Sequence, residues 1–600
     1  MDGFHQKVSF IWSIADLLRG DYKPSDYGKV ILPFTVLRRL DSVSVANASG
    51  LSFIKLNTAG PARGLARYIR GFPSEVREIL DCFAFGEQIA RLRKAGLLPL
   101  IIRRFCEVDL HPNTVGNREM GYIFEELIRR FSEQSGETAG EHYTPREVIR
   151  LMVRLVFEEH AGGLTTLFDP ACGTGGMLSL AEEYLGERSP KTRLEIHGQE
   201  LNRESYAICK ADAMLKGHDA GCIVSGNSFL RDGFAGRRFD YMLSNPPFGV
   251  EWKKAEKQIR VEHRRRGFAG RFGAGLPRVS DGSLLFLQHM LSKMRPEGSR
   301  IGVVFNGSPL FAGDAGSGES EIRKWILEND WLEAIVALPD QLFYNTGLST
   351  YIWVLANRKT ARRKGKVQLV NAAAFCAPMR RSLGAKRNEM SPAHIDQIAE
   401  IYRGFSEGPY SKILRNQDLG YRSIVVERPL RLNFQASAER IGAVKDKFSP
   451  DVVEVVQSMD PCVVYRDQAE FDRALASAFL AAGRKFGRTL SRKIREALGL
   501  QDDGAEIYRD AKSRPVADPD LRDSENVPLQ EDARAWFRKE VLPYAPDAWM
   551  DEARTRTGYS IPFARLFFEP EPLRPLSQIE REIARLEAEN QSMLLALGDA

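Results

Sequence analysis

The sequence is poor in cysteine, in long apolar runs and in net charge, and each shortage removes a class of protein. The seven cysteines, Cys82, Cys106, Cys172, Cys209, Cys222, Cys376 and Cys462, are scattered through 600 residues. None forms a C-x-x-C pair and none sits with histidine at zinc-ligand spacing, so neither a disulfide scaffold nor a metal site is expected. Reduced thiols in a cytoplasmic protein are the expectation. No apolar run approaches the length of a membrane span, and Met1-Asp-Gly-Phe-His lacks the basic region and cleavage site of a secretory signal. No G-x-x-x-x-G-K-[ST] loop occurs, so no ATP-driven motor is expected here. The 85 Lys and Arg against 79 Asp and Glu give a formal charge of +6. That excess alone does not establish nucleic-acid binding; its placement matters more.

What is present is enough chain for several domains. Residues 1–135 read as a helical N-terminal domain, with Phe10, Ile14, Leu17 and Leu18 on one helical face. A second helix around Val30 to Leu40 contains Pro33, which should kink it or mark its start. From 136 to 360 short apolar runs alternate with helical patterns: Leu164–Phe168, Leu194–Gly198, Cys222–Ser225, Tyr241–Ser244, Ile301–Phe305, Leu332–Leu338 and Tyr351–Leu355. That alternation predicts an α/β, Rossmann-like domain with a parallel sheet covered on both faces and a ligand beyond the strands' carboxyl ends. Residues 361–570 are expected to form a mixed, mostly helical extension suited to subunit contacts, with 500–530 as a linker or exposed loop. A final segment, 571–600, should be one amphipathic helix, opened by Ser577 and Glu580 as a capping box. Its Ile579, Ile583, Leu586, Asn590, Met593 and Leu597 make a short heptad seam that either meets a partner or packs on its own domain.

The run Leu167-Phe-Asp-Pro-Ala-Cys-Gly-Thr-Gly-Gly-Met-Leu178 combines a strand ending in Asp169, a glycine turn and a new helix. Gly173, Thr174, Gly175 and Gly176 let the backbone approach a ligand, and an acid beside them suits a cationic ammonium or sulfonium. Leu178 stands where a dinucleotide fold would want another glycine, so the spacing leans away from NAD. The next strand ends in Glu200, where nucleoside-binding sheets hold a ribose diol. Upstream, Thr144 as N-cap, Pro145 as first helical residue and Glu147 make a helix start, preceded by His142 and Tyr143.

Tyr241-Met-Leu-Ser-Asn-Pro-Pro-Phe248 is the most specific feature. Two prolines stiffen the turn, leaving the Asn245 side-chain oxygen and the Pro246 carbonyl as fixed acceptors. Two acceptors can hold both N–H bonds of an exocyclic amine, with its lone pair aimed at an incoming methyl. Phe248, after Pro247, offers a face for an extruded base. Asp169 to Gly176, then Glu200, then Asn245-Pro-Pro-Phe248 is similar to the ordered motifs of amino-group DNA methyltransferases. More closely, the chain resembles the methylation (M) subunit of type I restriction-modification systems, through Leu17–Tyr22, Gly140–Arg146, Asp281–Phe286, Leu338–Gly347 and Val426–Leu430. The resemblance implies an adenine-N6 DNA methyltransferase using S-adenosyl-L-methionine. Glu141, His142, Tyr143, Thr144, Pro145, Arg146, Asp169, Gly173 to Gly176, Glu200 and Asn227 would contact the cofactor. Asn245, Pro246, Pro247 and Phe248 would receive a flipped adenine of double-stranded DNA. The partners implied are a specificity (S) subunit and a restriction (R) subunit.

Residues 251–278 hold nine Lys and Arg against three Glu, with Phe268 and Phe272 interleaved. Beside the catalytic turn this predicts a loop that orders over DNA phosphates. Three other readings stay open. One is a methyltransferase of protein glutamine or RNA guanine, which shares the Asn-Pro-Pro-aromatic turn. Another is a self-sufficient DNA methyltransferase that reads its site with residues 361–600. The third is a catalytically idle scaffold. Pro461-Cys462, a pair used by cytosine-C5 methyltransferases, follows no strand of the sheet and is set aside.

Overall fold

The computed structural model describes residues 2–42, 48–57, 61–135, 144–157, 163–189, 191–344, 346–383, 385–510, 512–568 and 574–598. Its centre is a nine-stranded sheet of β1 (Leu164–Asp169), β2 (Arg193–Glu200), β3 (Ile223–Ser225), β4 (Tyr241–Ser244), β5 (Arg300–Asn306), β6 (Leu332–Ala337), β7 (Thr350–Ala356) and β8 (Lys366–Asn371). A hairpin of β9 (Ala377–Leu383) and β10 (Lys386–Glu389) follows, and then β11 (Ser411–Arg415) closes one edge of the sheet. The strand order is β11-β8-β6-β7-β5-β4-β1-β2-β3. All seven predicted strands are present, but the sheet is not wholly parallel. β7 runs antiparallel between β5 and β6, and β11 antiparallel to β8. The sheet also continues past the expected boundary at 360, because β8 pairs with β6.

The period of two in the strands divides the core between the two faces of the sheet. Ala334, Val336, Ile352 and Val354 pack with the helices Arg146–Val156, Gly176–Arg188 and Pro392–Gly404. Ile335, Trp353 and Leu355 face the helices Ser283–Leu291 and Gly318–Glu328. Residues 2–135 form a helical domain with its own core, in which Phe34 meets Phe53, Phe85 and Phe105. Pro33 lies within one continuous helix, Gly28–Ser42. The helix Arg203–Leu215 belongs to both domains. Ala207, Ile208, Ala211 and Leu215 enter the N-terminal core, while Tyr206, Cys209 and Ala213 enter that of the sheet.

Beyond 416 helices outweigh strands. β12 (Gly420–Glu427) leads through β13 (Leu432–Phe434) into a small helical module of Ala438–Val444, Pro450–Gln457, Gln468–Ala481 and Arg488–Leu498. The module returns through β14 (Gly499–Gln501), which pairs with β13. The stretch expected as a linker carries β14 and β15 (Asp523–Pro528). β15 and β16 (Trp549–Tyr559) flank β12 in a three-stranded antiparallel sheet. Cys462 is exposed within the helical module. The terminal helix, Leu576–Gly598, begins one residue before Ser577, so Ser577 lies inside it rather than at its cap. Ile583, Leu586 and Met593 of its seam are exposed, which disfavours packing on the chain's own domain. Among the described residues no helix is long and apolar enough to cross a membrane.

One buried charge fastens the far half of the sheet. Glu333 on β6 is 1% exposed and receives Arg300 of β5 at 2.9 Å, the Tyr402 hydroxyl, and Arg363 at 3.8 Å. Burial alone would raise its carboxyl pKa, but Arg300, Tyr402 and Arg363 hold it below the ordinary carboxylate range. A depressed folded pKa stabilises above the unfolded value and loses that effect as pH falls through the folded one. Glu333→Gln is therefore expected to cost about 3–5 kcal/mol in urea unfolding near neutral pH, and less below about pH 4. Equal losses at both pH values would refute the charge-based account.

Candidate functional site

The sheet's order reverses between β1 and β4: β1 leads on to β2 and β3, while β4 leads on to β5. A crevice must open beyond the carboxyl ends of strands at such a point. There a cavity of about 890 Å³ is lined by Thr144, Asp169, Gly173, Thr174, Gly176, Glu200, Asn227, Asn245 and Pro247. Nine of the residues singled out in the sequence thus converge, from segments far apart in the chain. Pro145, Arg146, Gly175, Pro246 and Phe248 are not on its wall, and Glu141, His142 and Tyr143 lie outside the described residues.

Asp169 ends β1 fully buried. It accepts from the Ala171 amide at 2.9 Å and from the Ser244 hydroxyl of β4 at 2.8 Å. Burial, which those two hydrogen bonds only partly offset, pushes its pKa up to about 7. The glycine turn follows in left-handed backbone, with φ of 54° at Gly173 and 89° at Gly175. A Cβ on Gly175 would lie 2.8 Å from Cys209 Sγ, so the loop can sit this close to the neighbouring helix only as glycine. Glu200, at the tip of β2, is committed through both oxygens. It accepts from the Gly173 amide at 2.8 Å and the Asn202 amide at 2.7 Å. After β3, Asn227 accepts from the Phe229 amide at 2.8 Å, and the Ser228 hydroxyl donates to the Pro170 carbonyl at 2.6 Å. Three strand tips are thereby tied to one loop.

On the Asn-Pro-Pro turn, Asn245 Nδ2 donates to the Thr144 hydroxyl at 3.0 Å. Its Oδ1 is buried and has no hydrogen-bond partner among the described residues. Such an orphan acceptor costs free energy unless a ligand supplies a donor. Thr144 does not cap the following helix as its sequence position suggested. That helix starts at Arg146, with Pro145 at the N-cap position and no side-chain cap bond, which leaves the Thr144 hydroxyl for Asn245. Phe248 is half-buried beside the cavity and meets Phe343 edge-on at 6.2 Å.

The basic stretch after the turn is not a loop. It forms the helix Glu256–Arg266, with Trp252, Ile259 and Phe272 in a small core with Phe229 and Leu285. Only Ile259 of that helix is buried, too thin an apolar stripe for periodicity to reveal. Val250 to Ala255 form one wall of the cavity, so this element is a lid over it. Arg271, expected on DNA, is used internally. It donates to the Ser228 carbonyl at 2.7 Å, the Phe229 carbonyl at 2.8 Å and Glu262 at 2.7 Å. Ser244, Phe229 and Trp252 were missed as site residues; each acts through a long-range contact that no local motif encodes. Among the described residues no group of His, Cys, Asp and Glu is placed to hold a metal ion.

A doubly wound sheet with a glycine turn, acidic strand tips and an Asn-Pro-Pro turn over one cavity defines an α/β domain with its ligand site at the switch point of the sheet. Residues 116–425, just over half of the chain, match the family model described as N-6 DNA Methylase, and residues 7–51 match the HsdM N-terminal domain. The chain belongs to the N-6 DNA methylase family. It is 30% identical over 315 residues to the type I restriction enzyme MjaIX methylase subunit of Methanocaldococcus jannaschii, covering 51% of this chain and 53% of that one. The type I restriction enzyme HindI methylase subunit of Haemophilus influenzae is 28% identical over 257 residues, 42% of this chain and 54% of its own. The matched part thus spans about half the length of these curated relatives. The fold is shared with the type I restriction-modification methyltransferase subunit of Streptococcus thermophilus, at a TM-score of 0.59 and 20% identity, covering 69% of this chain and 96% of that one.

A carboxyl with a raised folded pKa favours the fold when protonated, so Asp169 costs stability as pH rises from about 4 through about 7. Asp169→Asn keeps an acceptor for Ala171 and Ser244. It is expected to stabilise the ligand-free protein at about pH 8 by on the order of 1–3 kcal/mol, with little effect near pH 4. Thermal unfolding at the two pH values checks this; equal effects at both would show that the carboxyl is not desolvated.

Proposed function

We propose that the chain is the modification subunit of a type I restriction-modification complex, methylating N6 of adenine in double-stranded DNA with S-adenosyl-L-methionine. The observation that carries the reading is the buried, unpartnered Asn245 Oδ1, in the same cavity as Asp169, the glycine turn and Glu200. The cavity fits the cofactor in size and in donor set. Asp169 and the Gly173–Gly176 turn meet the methionine end, Glu200 the ribose, and Asn227 with Phe229 the adenine. The raised Asp169 pKa fits a cationic ligand, whose charge would restore the carboxylate. When bound, S-adenosylmethionine supplies an electrophilic methyl on a sulfonium.

This chain's residues do the positioning. Thr144 holds the Asn245 amide group, which leaves Oδ1 as an unused acceptor. Asn245 Oδ1 and the Pro246 carbonyl take the two N–H bonds of the adenine amine and leave its lone pair toward the methyl. The two prolines keep these acceptors from reorganising, and Phe248 with Phe343 borders the flipped base. Lys253 and Lys254, on the cavity wall, and the exposed cations of the lid helix meet DNA phosphates. The exposed seam of Leu576–Gly598 supports a partner subunit over self-contained recognition, and that partner, the S subunit, would read the DNA sequence, with an R subunit completing the assembly.

Asn245→Ala is expected to lower methyl transfer by about 100-fold or more while changing S-adenosylmethionine affinity less than about threefold. Base-resolution mapping of N6-methyladenine in cells carrying either version gives the substrate. Methylation at a split motif that vanishes with Asn245→Ala supports both the chemistry and the S partner. A compact motif would overturn the partner, and unchanged methylation would overturn the site.

A further inference from the structure

A second concavity, of about 700 Å³, lies at the carboxyl end of the lid helix and shares no wall residue with the first. Its walls come from the segment between β3 and β4, the end of the helix Ser283–Leu291, the lid turn 266–273, and Trp325 and Trp331. The methyl-transfer reading leaves it unused.

Two features of its lining need each other to make sense. The first is a row of rings. Phe268 lies 5.7 Å from Trp325, and Trp325 lies 4.8 Å from Trp331. Phe268 is 68% exposed, an unfavourable place for a phenyl ring. The turn presenting it is built tightly: Gly267 has φ of 47°, and a Cβ on Gly273 would come within 2.5 Å of the Gly267 backbone. The second feature is charge. Both carboxylates of the wall are already neutralised, Asp232 by Lys293 at 2.8 Å and Glu262 by Arg271 at 2.7 Å. Arg237, Arg238 and Arg266 remain, without an ion pair within 4.0 Å among the described residues, although the charge of Arg266 is felt by Glu262. Arg237 rests on His197 Nε2 at 2.8 Å and Arg238 on the Met294 carbonyl.

An inorganic anion would use the guanidiniums and leave the rings wet. An apolar segment would use the rings and bury the guanidiniums unpaired, at high cost. A ligand that is flat and aromatic at one end and anionic at the other satisfies both. We propose that this pocket binds a nucleotide, its base stacked on Phe268 and Trp325 and its phosphate held by Arg237, Arg238 and Arg266. The nucleotide is either free in solution or one unit of a nucleic-acid strand passing the lid. The target adenine is not its occupant, because Asn245 opens into the other cavity. The pocket is argued apart from the methyl-transfer reading, and only the blocking of the first cavity in the test rests on it.

The test uses the full chain saturated with S-adenosylhomocysteine, which occupies the first cavity. Calorimetric titrations with adenosine 5′-monophosphate, inorganic phosphate and a short single-stranded oligonucleotide are compared for the parent, Phe268→Ala and Arg266→Ala, both exposed substitutions. The expected result is binding of the mononucleotide, the oligonucleotide or both, weakened about tenfold by either substitution. Binding of the mononucleotide identifies the free ligand as the source, and binding of the oligonucleotide alone identifies a strand. Asn245→Ala leaves this binding unchanged, which separates it from the methyl-transfer site. No binding of either, binding indifferent to Phe268→Ala, or inorganic phosphate binding as tightly as the mononucleotide would overturn the proposal.

Discussion

The hydrogen bond from the Ser244 hydroxyl to Asp169 joins the two halves of the site. β1 and β4 are parallel neighbours, with Leu167 opposite Tyr241 and Phe168 opposite Met242, so the ends of the two strands emerge side by side. β1 runs on into the glycine turn, and β4 runs on into Asn245. The bond therefore sets the distance between the part of the cavity suited to a cofactor and the acceptor suited to an amine. A buried carboxylate is an expensive way to fix that distance, and a threonine or asparagine there would cost less in the empty protein. Asp169 makes sense where the occupied state brings a positive charge to it. The cost then falls on the empty site and is offset on binding.

The glycine turn is held from three sides by contacts that differ in kind. Glu200 holds the Gly173 amide electrostatically, Ser228 holds the Pro170 carbonyl, and Cys209 packs directly beneath Gly175. Cys209 belongs to the helix Arg203–Leu215, whose other face completes the core of the N-terminal domain. Tyr206 and Lys210 of that helix also bind Glu78, at 2.8 and 2.7 Å. The N-terminal domain is thus packed against the glycine turn through the helix Arg203–Leu215. A disturbance of the interface would displace the surface on which Gly175 rests.

How much of this was legible in the sequence depends on how local each signal is. The strands of the sheet, the turn after Asp169, Glu200 at a strand tip and the Asn-Pro-Pro turn were legible, because each is a run of neighbouring residues with a conformational reason to be there. Thr144 was legible as a residue of interest but given the wrong task. Its hydroxyl could be assigned to Asn245, 101 positions away, only once the fold had brought them together. The continuation of the sheet through β8 and β11, and the pairing of β15 with β12, depend on partners that local periodicity does not reveal. The lid read as a loop because eleven residues with one buried side chain carry charge rather than an apolar stripe.

The lid and the Asn227–Phe229 turn are one mechanical unit, and Arg271 makes them so. Its guanidinium donates to two carbonyls of the Asn227–Phe229 turn and to Glu262 of the lid helix, within hydrogen-bond distance of each. Lifting the lid, which carries both Arg271 and Glu262, would strip the two carbonyl acceptors of Ser228 and Phe229 from a half-buried guanidinium, at a cost that water would only partly recover. Trp252 adds a second tether, its backbone donating to Val279 at 3.0 Å and its ring to the Arg278 carbonyl at 2.9 Å. The lid is therefore held in place by the chain itself, and its cations are pre-organised. Anything entering the cavity must pass a wall already fixed by the same residues that shape its Asn227–Phe229 end. Any ligand that moves the 266–273 turn would act on that end through Arg271.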